Sequence, residues 1–254
     1  MRERISRINS ICRPITNCYS LEVADKAEKM WEDGDSFIFF YEDHGTKRLV
    51  YFAENEEILS RLLTLPKGGC FYLEFMTKDE NQWYEMLKNK GYCQRAKMLR
   101  FVNSDCISVL QDGELHKYRN DGIGTQAQES DAHEINEILW KLFHTEVSHL
   151  LNDEELRSLV DRITIHKNKE GKIDAILQAD VMPKKFYINQ VVNLTDRSII
   201  HAILQQRLWD YVHNGGKYMY AWVEDTNIAS KKFHEKYGMR HDGMYSLIYQ
   251  RENE

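Results

Sequence analysis

The chain has 254 residues, 42% hydrophobic and 29% charged, and a formal net charge of −6. That length suits one large or two ordinary globular domains, and the acidic balance argues against a nucleic acid or an anionic membrane as partner. No apolar run approaches the length of a membrane span, and no apolar segment follows the basic N-terminal residues Arg2, Arg4 and Arg7 as a secretory leader requires.

Along the chain, Leu21, Ala24, Ala27, Met30 and Trp31 fall at helical spacing and predict a helix closed by Gly34. Residues 36–41 and 48–52 are aromatic and β-branched and flank a polar turn, so 36–52 reads as a β-hairpin. A short helix over 56–65 ends at Pro66, a strand follows over 70–75, a helix over 78–90 closes at Gly91, and a strand occupies 97–102. The polar, turn-rich stretch 111–124 reads as a linker, giving domains over 1–110 and 125–254.

The second half opens with a short strand at 125–129, and Ile135, Ile138, Leu139, Leu142 and Phe143 then share one face of a helix over 131–147. Asn152 caps a second helix, with Glu154 and Glu155 in its first turn. Residues 162–166 and 173–182 flank a turn at 168–171 and form a hairpin. A strand at 185–194, a long helix at 199–212, a strand at 218–223, a helix ending at Gly238 and a strand at 243–250 complete the order. All five cysteines, Cys12, Cys18, Cys70, Cys93 and Cys106, lie in the first half without paired spacing. They read as reduced thiols in a cytoplasmic protein, and no metal is expected.

Tyr218 to Met239 carries the most specific pattern: a strand, a polar turn, Asn227, Ser230, Phe233, Lys236, Gly238 and Met239. This run resembles the closing motif of the GCN5-related N-acetyltransferases, the GNAT family, with His234 in the slot that often holds the family's tyrosine. The segment from Leu73 to Tyr92 repeats the plan of Ala221 to Met239: strand, polar turn, helix, glycine, then an aromatic residue or methionine. The resemblance therefore implies an α/β (α+β) protein of two GNAT-like domains, each a mixed, mostly antiparallel sheet flanked by helices, with the N-terminal domain degenerate.

The resemblance implies acetyl transfer from acetyl-coenzyme A to an amine of a small molecule or peptide; with no heptad or apolar stripe in the sequence, a monomer or a homodimer is expected. It assigns polarisation of the thioester carbonyl to backbone N–H groups at Val191, Val192 and Asn193, and places Asn227, Ser230 and Phe233 beside the coenzyme. The family's phosphate-binding turn falls on Thr195, Arg197, Ser198, Ile200, His201 and Ala202; Ile200 stands where a glycine lets the backbone approach the phosphates, and Asp196 adds a like charge. The same residues equally suit a plain helix start capped by Thr195 or Asp196. His234 takes the general-acid slot, with Tyr237 as the alternative, and Glu224, His144, Glu146 and His149 are candidate bases. Ile200 and Asp196 also motivate a second reading, a binding module that kept the fold and lost the cofactor. Asn55 and the acidic pair Glu56-Glu57 make the N-terminal domain a scaffold without a phosphate loop.

Overall fold

A computed structural model of the chain describes residues 2–18, 21–67, 69–111 and 122–251. Most of the expected 111–124 linker lies outside the described residues. The chain divides into two compact units: residues 1–98 with 145–149 and 243–254, and residues 99–144 with 150–242. The expected boundaries therefore differ from the contacts at three places: residues 99–110 belong to the second unit, and residues 145–149 and the stretch from 243 onward belong to the first.

In the first unit, α1 (Arg2–Ile11), β1 (Ile15–Thr16) and α2 (Leu21–Asp25) precede β2 (Lys29–Asp33), β3 (Ser36–Asp43) and β4 (Thr46–Ala53). The helix expected to run through Trp31 stops at Asp25, and Lys29–Asp33 pairs antiparallel with β3 instead. Ladder bonds and the packing of Trp31 on Phe40, at 5.3 Å between rings, outweigh helical spacing there. Then come α3 (Glu56–Leu62), β5 (Phe71–Thr77), α4 (Tyr84–Lys88) and β6 (Tyr92–Asn103), of which residues 92–98 belong to this unit. The helix predicted over 78–90 is confined to 84–88, with turns before it.

β3 is an uninterrupted apolar run because both of its faces are covered. Phe37, Phe39 and Tyr41 join Ile5 and Ile8 of α1, whereas Ile38 and Phe40 join Leu59 and Leu62 of α3 and Leu87 of α4. The strand order is β2-β3-β4-β5, followed by the C-terminal β12 (Arg240–Arg251), whose residues 245–251 pair antiparallel with β5. β4 and β5 are parallel; the other pairs are antiparallel.

The second unit contains α5 (Cys106–Gln111), β7 (Thr125–Gln126), α6 (Ala132–Leu142), α7 (Asp153–Arg157), β8 (Ile163–Lys167), β9 (Ile173–Met182), β10 (Lys185–Asn193), α8 (Arg197–His213), β11 (Met219–Glu224) and α9 (Ile228–Lys236). α6 ends at Leu142 rather than 147. Its strand order is β11-β10-β9-β8-β7, with only β10 and β11 parallel. One sheet face meets α6 and α7 through Ile163, Ile165, Ile176 and Val192. The other meets α8, where Phe186 lies 5.4 Å from the Tyr211 ring.

The plan of the two units recurs. Each has an antiparallel hairpin, β3–β4 or β9–β10, then a helix, a strand parallel to the hairpin's second member, and another helix. That last helix ends at a left-handed glycine in both cases, Gly91 at φ 77° and Gly238 at φ 66°, a conformation that a side chain would strain.

Candidate active site

The site in the second unit begins with a parting of strands. β10 and β11 pair in parallel only over Phe186–Ile188 and Met219–Ala221. β10 then carries one extra residue, Asn189, in a bulge against β9 and continues on β9 to Asn193, opposite Ala175. A bulge bends its strand, so beyond Ile188 one edge of β10 has no strand partner among the described residues. Val191, Val192 and Asn193 lie on this stretch. Val192 is buried in the core, while Asn193 donates from Nδ2 to the Thr195 carbonyl at 3.0 Å and leaves a buried Oδ1 with no partner among the described residues.

The turn into α8 is short. Asp196 caps the helix: its Oδ1 accepts from the Ser198 N–H at 2.7 Å, and its carbonyl accepts from the Ile199 N–H at 3.1 Å. The Ser198 hydrogen bonds hold the Asp196 carboxyl below the usual carboxylate range. A protein carboxylate therefore occupies the helix N-terminus that would cradle a phosphate. Thr195 and Arg197 are exposed and Ser198 is half-buried. Ile200, His201 and Ala202 are within α8 and buried. The expectation that Ile200 crowds a phosphate path is thus corrected: it is a core residue one turn into the helix.

Asn227 caps α9, accepting at Oδ1 from the Ser230 N–H at 2.9 Å. Ser230 and Phe233 are half-buried, and the Phe233 ring stacks on His201 at 5.1 Å. His234 is buried, with its Nδ1–H donated to the Ser230 carbonyl at 2.7 Å and a buried Nε2 that has no partner among the described residues. Burial pushes this imidazole down to about 4 against the opposing effect of the Ser230 bond, so it is uncharged at neutral pH. The assignment of His234 as a cationic general acid is corrected accordingly. The matching position before Gly91 is Leu87, also buried, which makes this slot part of the core in both units. Tyr237 is fully buried too, its hydroxyl 2.8 Å from His201 Nδ1. Burial, together with the charges of Lys236 and Arg197, lowers His201 to about 4. Neither acid candidate meets open solvent. Glu224, at the end of β11, is half-buried, and its carboxylate makes no ion pair among the described residues.

The corresponding parting in the first unit is filled. β4 and β5 pair only at Arg48–Leu49 with Tyr72–Leu73. Beyond it, the Tyr51 N–H donates to Asn17 Oδ1 at 2.8 Å, Asn17 Nδ2 donates to the Leu49 carbonyl at 3.0 Å, and Thr16 donates to the Tyr51 carbonyl at 2.8 Å. β1 pairs with Phe52 and Ala53, and the Tyr51 hydroxyl reaches the Glu74 carbonyl at 3.0 Å. The chain's own N-terminal segment occupies the edge that β10 leaves open.

Two arrangements were not legible in the sequence. Asp43 accepts hydrogen bonds from Arg48 Nε and His149 Nδ1, each at 2.7 Å. Burial of Asp43 is outweighed by these bonds and charges, which hold its carboxyl at about 2. Arg48 also donates to the carbonyls of Thr145 at 2.5 Å and Glu146 at 3.3 Å, so the candidate bases Glu146 and His149 are held within the first unit. The other is a pair of buried glutamines, Gln178 and Gln190, directly opposite each other on β9 and β10.

Comparison with solved structures decides the fold. A GCN5-related N-acetyltransferase from Sphaerobacter thermophilus superposes with a TM-score of 0.55 at 11% identity, over 86% of this chain and 78% of that one. The fold is that of the GNAT acetyltransferases. A GNAT-family protein from Novosphingobium aromaticivorans gives 0.56 at 10% identity over 92% and 94% of the two chains. A tandem GNAT protein from the clavulanic acid biosynthesis pathway gives 0.56 at 8% identity over 86% and 80%. No family model and no curated protein matches the sequence. No helix among the described residues is long and apolar enough to cross a membrane.

Proposed function

We infer that the chain is an N-acyltransferase of the GNAT type, with the transfer site in the second unit and the first unit a degenerate, non-catalytic copy. The observation that carries this reading is the open edge of β10 after Ile188, against the filled edge of β4. Acetyl-coenzyme A, when bound, supplies an acyl group activated as a thioester. The edge amides of residues 191–193 suit a carbonyl oxygen, donating fixed hydrogen bonds where negative charge develops. The acceptor must lose a proton, and Glu224 is the carboxylate closest in sequence to the end of β11. A thiol of ordinary pKa, about 8.5, leaves without an obligatory acid, so the burial of His234 and Tyr237 does not forbid the reaction. Arg197, exposed at the start of α8, is the cation for the phosphates.

The Asp196 cap favours a second reading, a binding module without the cofactor. Calorimetric titration with acetyl-coenzyme A separates them. Micromolar affinity, about −8 kcal/mol, followed by amine-dependent thiol release supports the transferase. Absence of binding at millimolar ligand sinks it and leaves the module.

A further inference from the structure

A cavity of about 290 Å³ lies between the turn joining β9 to β10 and the last turns of α8. Arg207, which lines it, stands ten residues after Arg197 at the start of α8, about 15 Å along the helix axis. The cavity is thus separate from the open edge of β10, and what it binds does not depend on the transferase reading. Val181 and Met182 form one side, 46% and 41% exposed, and Pro183 continues this apolar wall. Tyr211 lines the cavity too, and its ring is fixed from three directions. Phe186 lies 5.4 Å from it, its hydroxyl donates to the Tyr218 carbonyl at 2.9 Å, and Gly216 passes so close that a Cβ there would lie 2.3 Å from the ring. A wall held in this way is preorganised for a ligand.

Two opposite charges line the same cavity. Arg207 is half-buried and Asp210 exposed, and neither makes an ion pair among the described residues, with the other or with any further side chain. Residues three apart on a helix are neighbours, roughly 5–6 Å between Cβ atoms. Asp210 stands in the last turn of α8, where the helix end already carries partial negative charge and a carboxylate is disfavoured. A ligand ammonium offsets both. Arg207, one turn earlier, presents the planar fork that suits a carboxylate. A molecule with a cation and an anion one carbon apart and an apolar branch matches the order of these groups: ammonium on Asp210, carboxylate on Arg207, branch on Val181, Met182 and Pro183. The volume is at the lower end of the range for small-molecule sites and holds one such molecule.

We propose that this cavity binds a free α-amino acid with an apolar side chain, held through both of its charges. The probe is L-leucine, titrated calorimetrically into the full chain at neutral pH. Glycine, L-leucinamide and N-acetyl-L-leucine are the comparators, lacking in turn the apolar branch, the carboxylate and the ammonium. Leucine binds with a Kd below about 1 mM and raises the melting temperature of the chain, and each comparator binds about tenfold more weakly or worse. Arg207→Gln and Asp210→Asn each weaken leucine about tenfold and leave the melting temperature of the free chain unchanged or higher. No binding of leucine at about 10 mM overturns the proposal, and so does leucine binding that is indifferent to both substitutions, which lies elsewhere in the chain. Tighter binding of N-acetyl-leucine overturns it in favour of a peptide C-terminus. Leucinamide or glycine binding as tightly as leucine overturns it as well, since the carboxylate or the branch then contributes nothing.

Discussion

Two buried imidazoles set an acid limit on the second unit. His201 and His234 ionise near 4 in the folded chain against an ordinary 6.5, so between those values the unfolded chain binds more protons. Stability rises with pH wherever that holds. It is therefore complete above about 6.5 and is lost as pH falls toward 4. Melting temperatures across that interval should drop, and His234→Leu should flatten the drop while holding or raising the neutral-pH value, since the substituted Nε2 makes no bond. A variant that melts several degrees lower at neutral pH would show that the buried imidazole makes a net stabilising contact. Arg48 is the first unit's counterpart, a buried cation joined to Asp43 and the 145–149 segment. Arg48→Ala strands the Asp43 carboxylate and should cost about 3 kcal/mol in urea unfolding, with faster amide exchange over 145–149.

At the scale of elements, the two ends of α8 and β1 are informative. Asp196→Ser keeps a capping oxygen and removes a like charge, so acetyl-coenzyme A should bind several-fold tighter in calorimetry while the helix keeps its thermal stability. Unchanged affinity would mean that phosphates never approach this helix end. Ile200→Gly, which the resemblance alone would recommend, should instead open a cavity and destabilise α8 by several kcal/mol, at about 3 or more. Asn17→Ala removes two hydrogen bonds that hold the N-terminal segment on β4, a loss of about 2 kcal/mol. Proteolysis near residue 15 should then accelerate before global unfolding, and equal protection would show the segment is held by other contacts.

Across the whole chain, the first unit is assembled from residues far apart in sequence. Its β5 edge is completed by residues 245–251. A chain truncated after residue 242 should leave that edge open and lose the first unit's melting transition, and a peptide of residues 243–254 added in trans should restore it. Retention of the transition without the peptide would show that β12 is dispensable to the unit.

The sequence by itself determined the local units. The apolar run at Phe37–Tyr41, the caps Asn55, Asn152 and Asn227, and the stops at Gly91 and Gly238 are each written within a window of a few residues. The recurrence of strand, helix and glycine around Leu73 and Ala221 was visible for the same reason, and it foreshadowed the mixed sheets. Tertiary structure decided what a short window does not encode. Trp31 left its helical spacing for a strand because a partner strand was available. His234 became a neutral core group because α9 packs it inward, although its motif slot suggested an acid. The Asp43–Arg48–His149 cluster, the facing Gln178 and Gln190, and the closure of β4 by Asn17 join residues up to 106 positions apart, and long-range pairing brings them together.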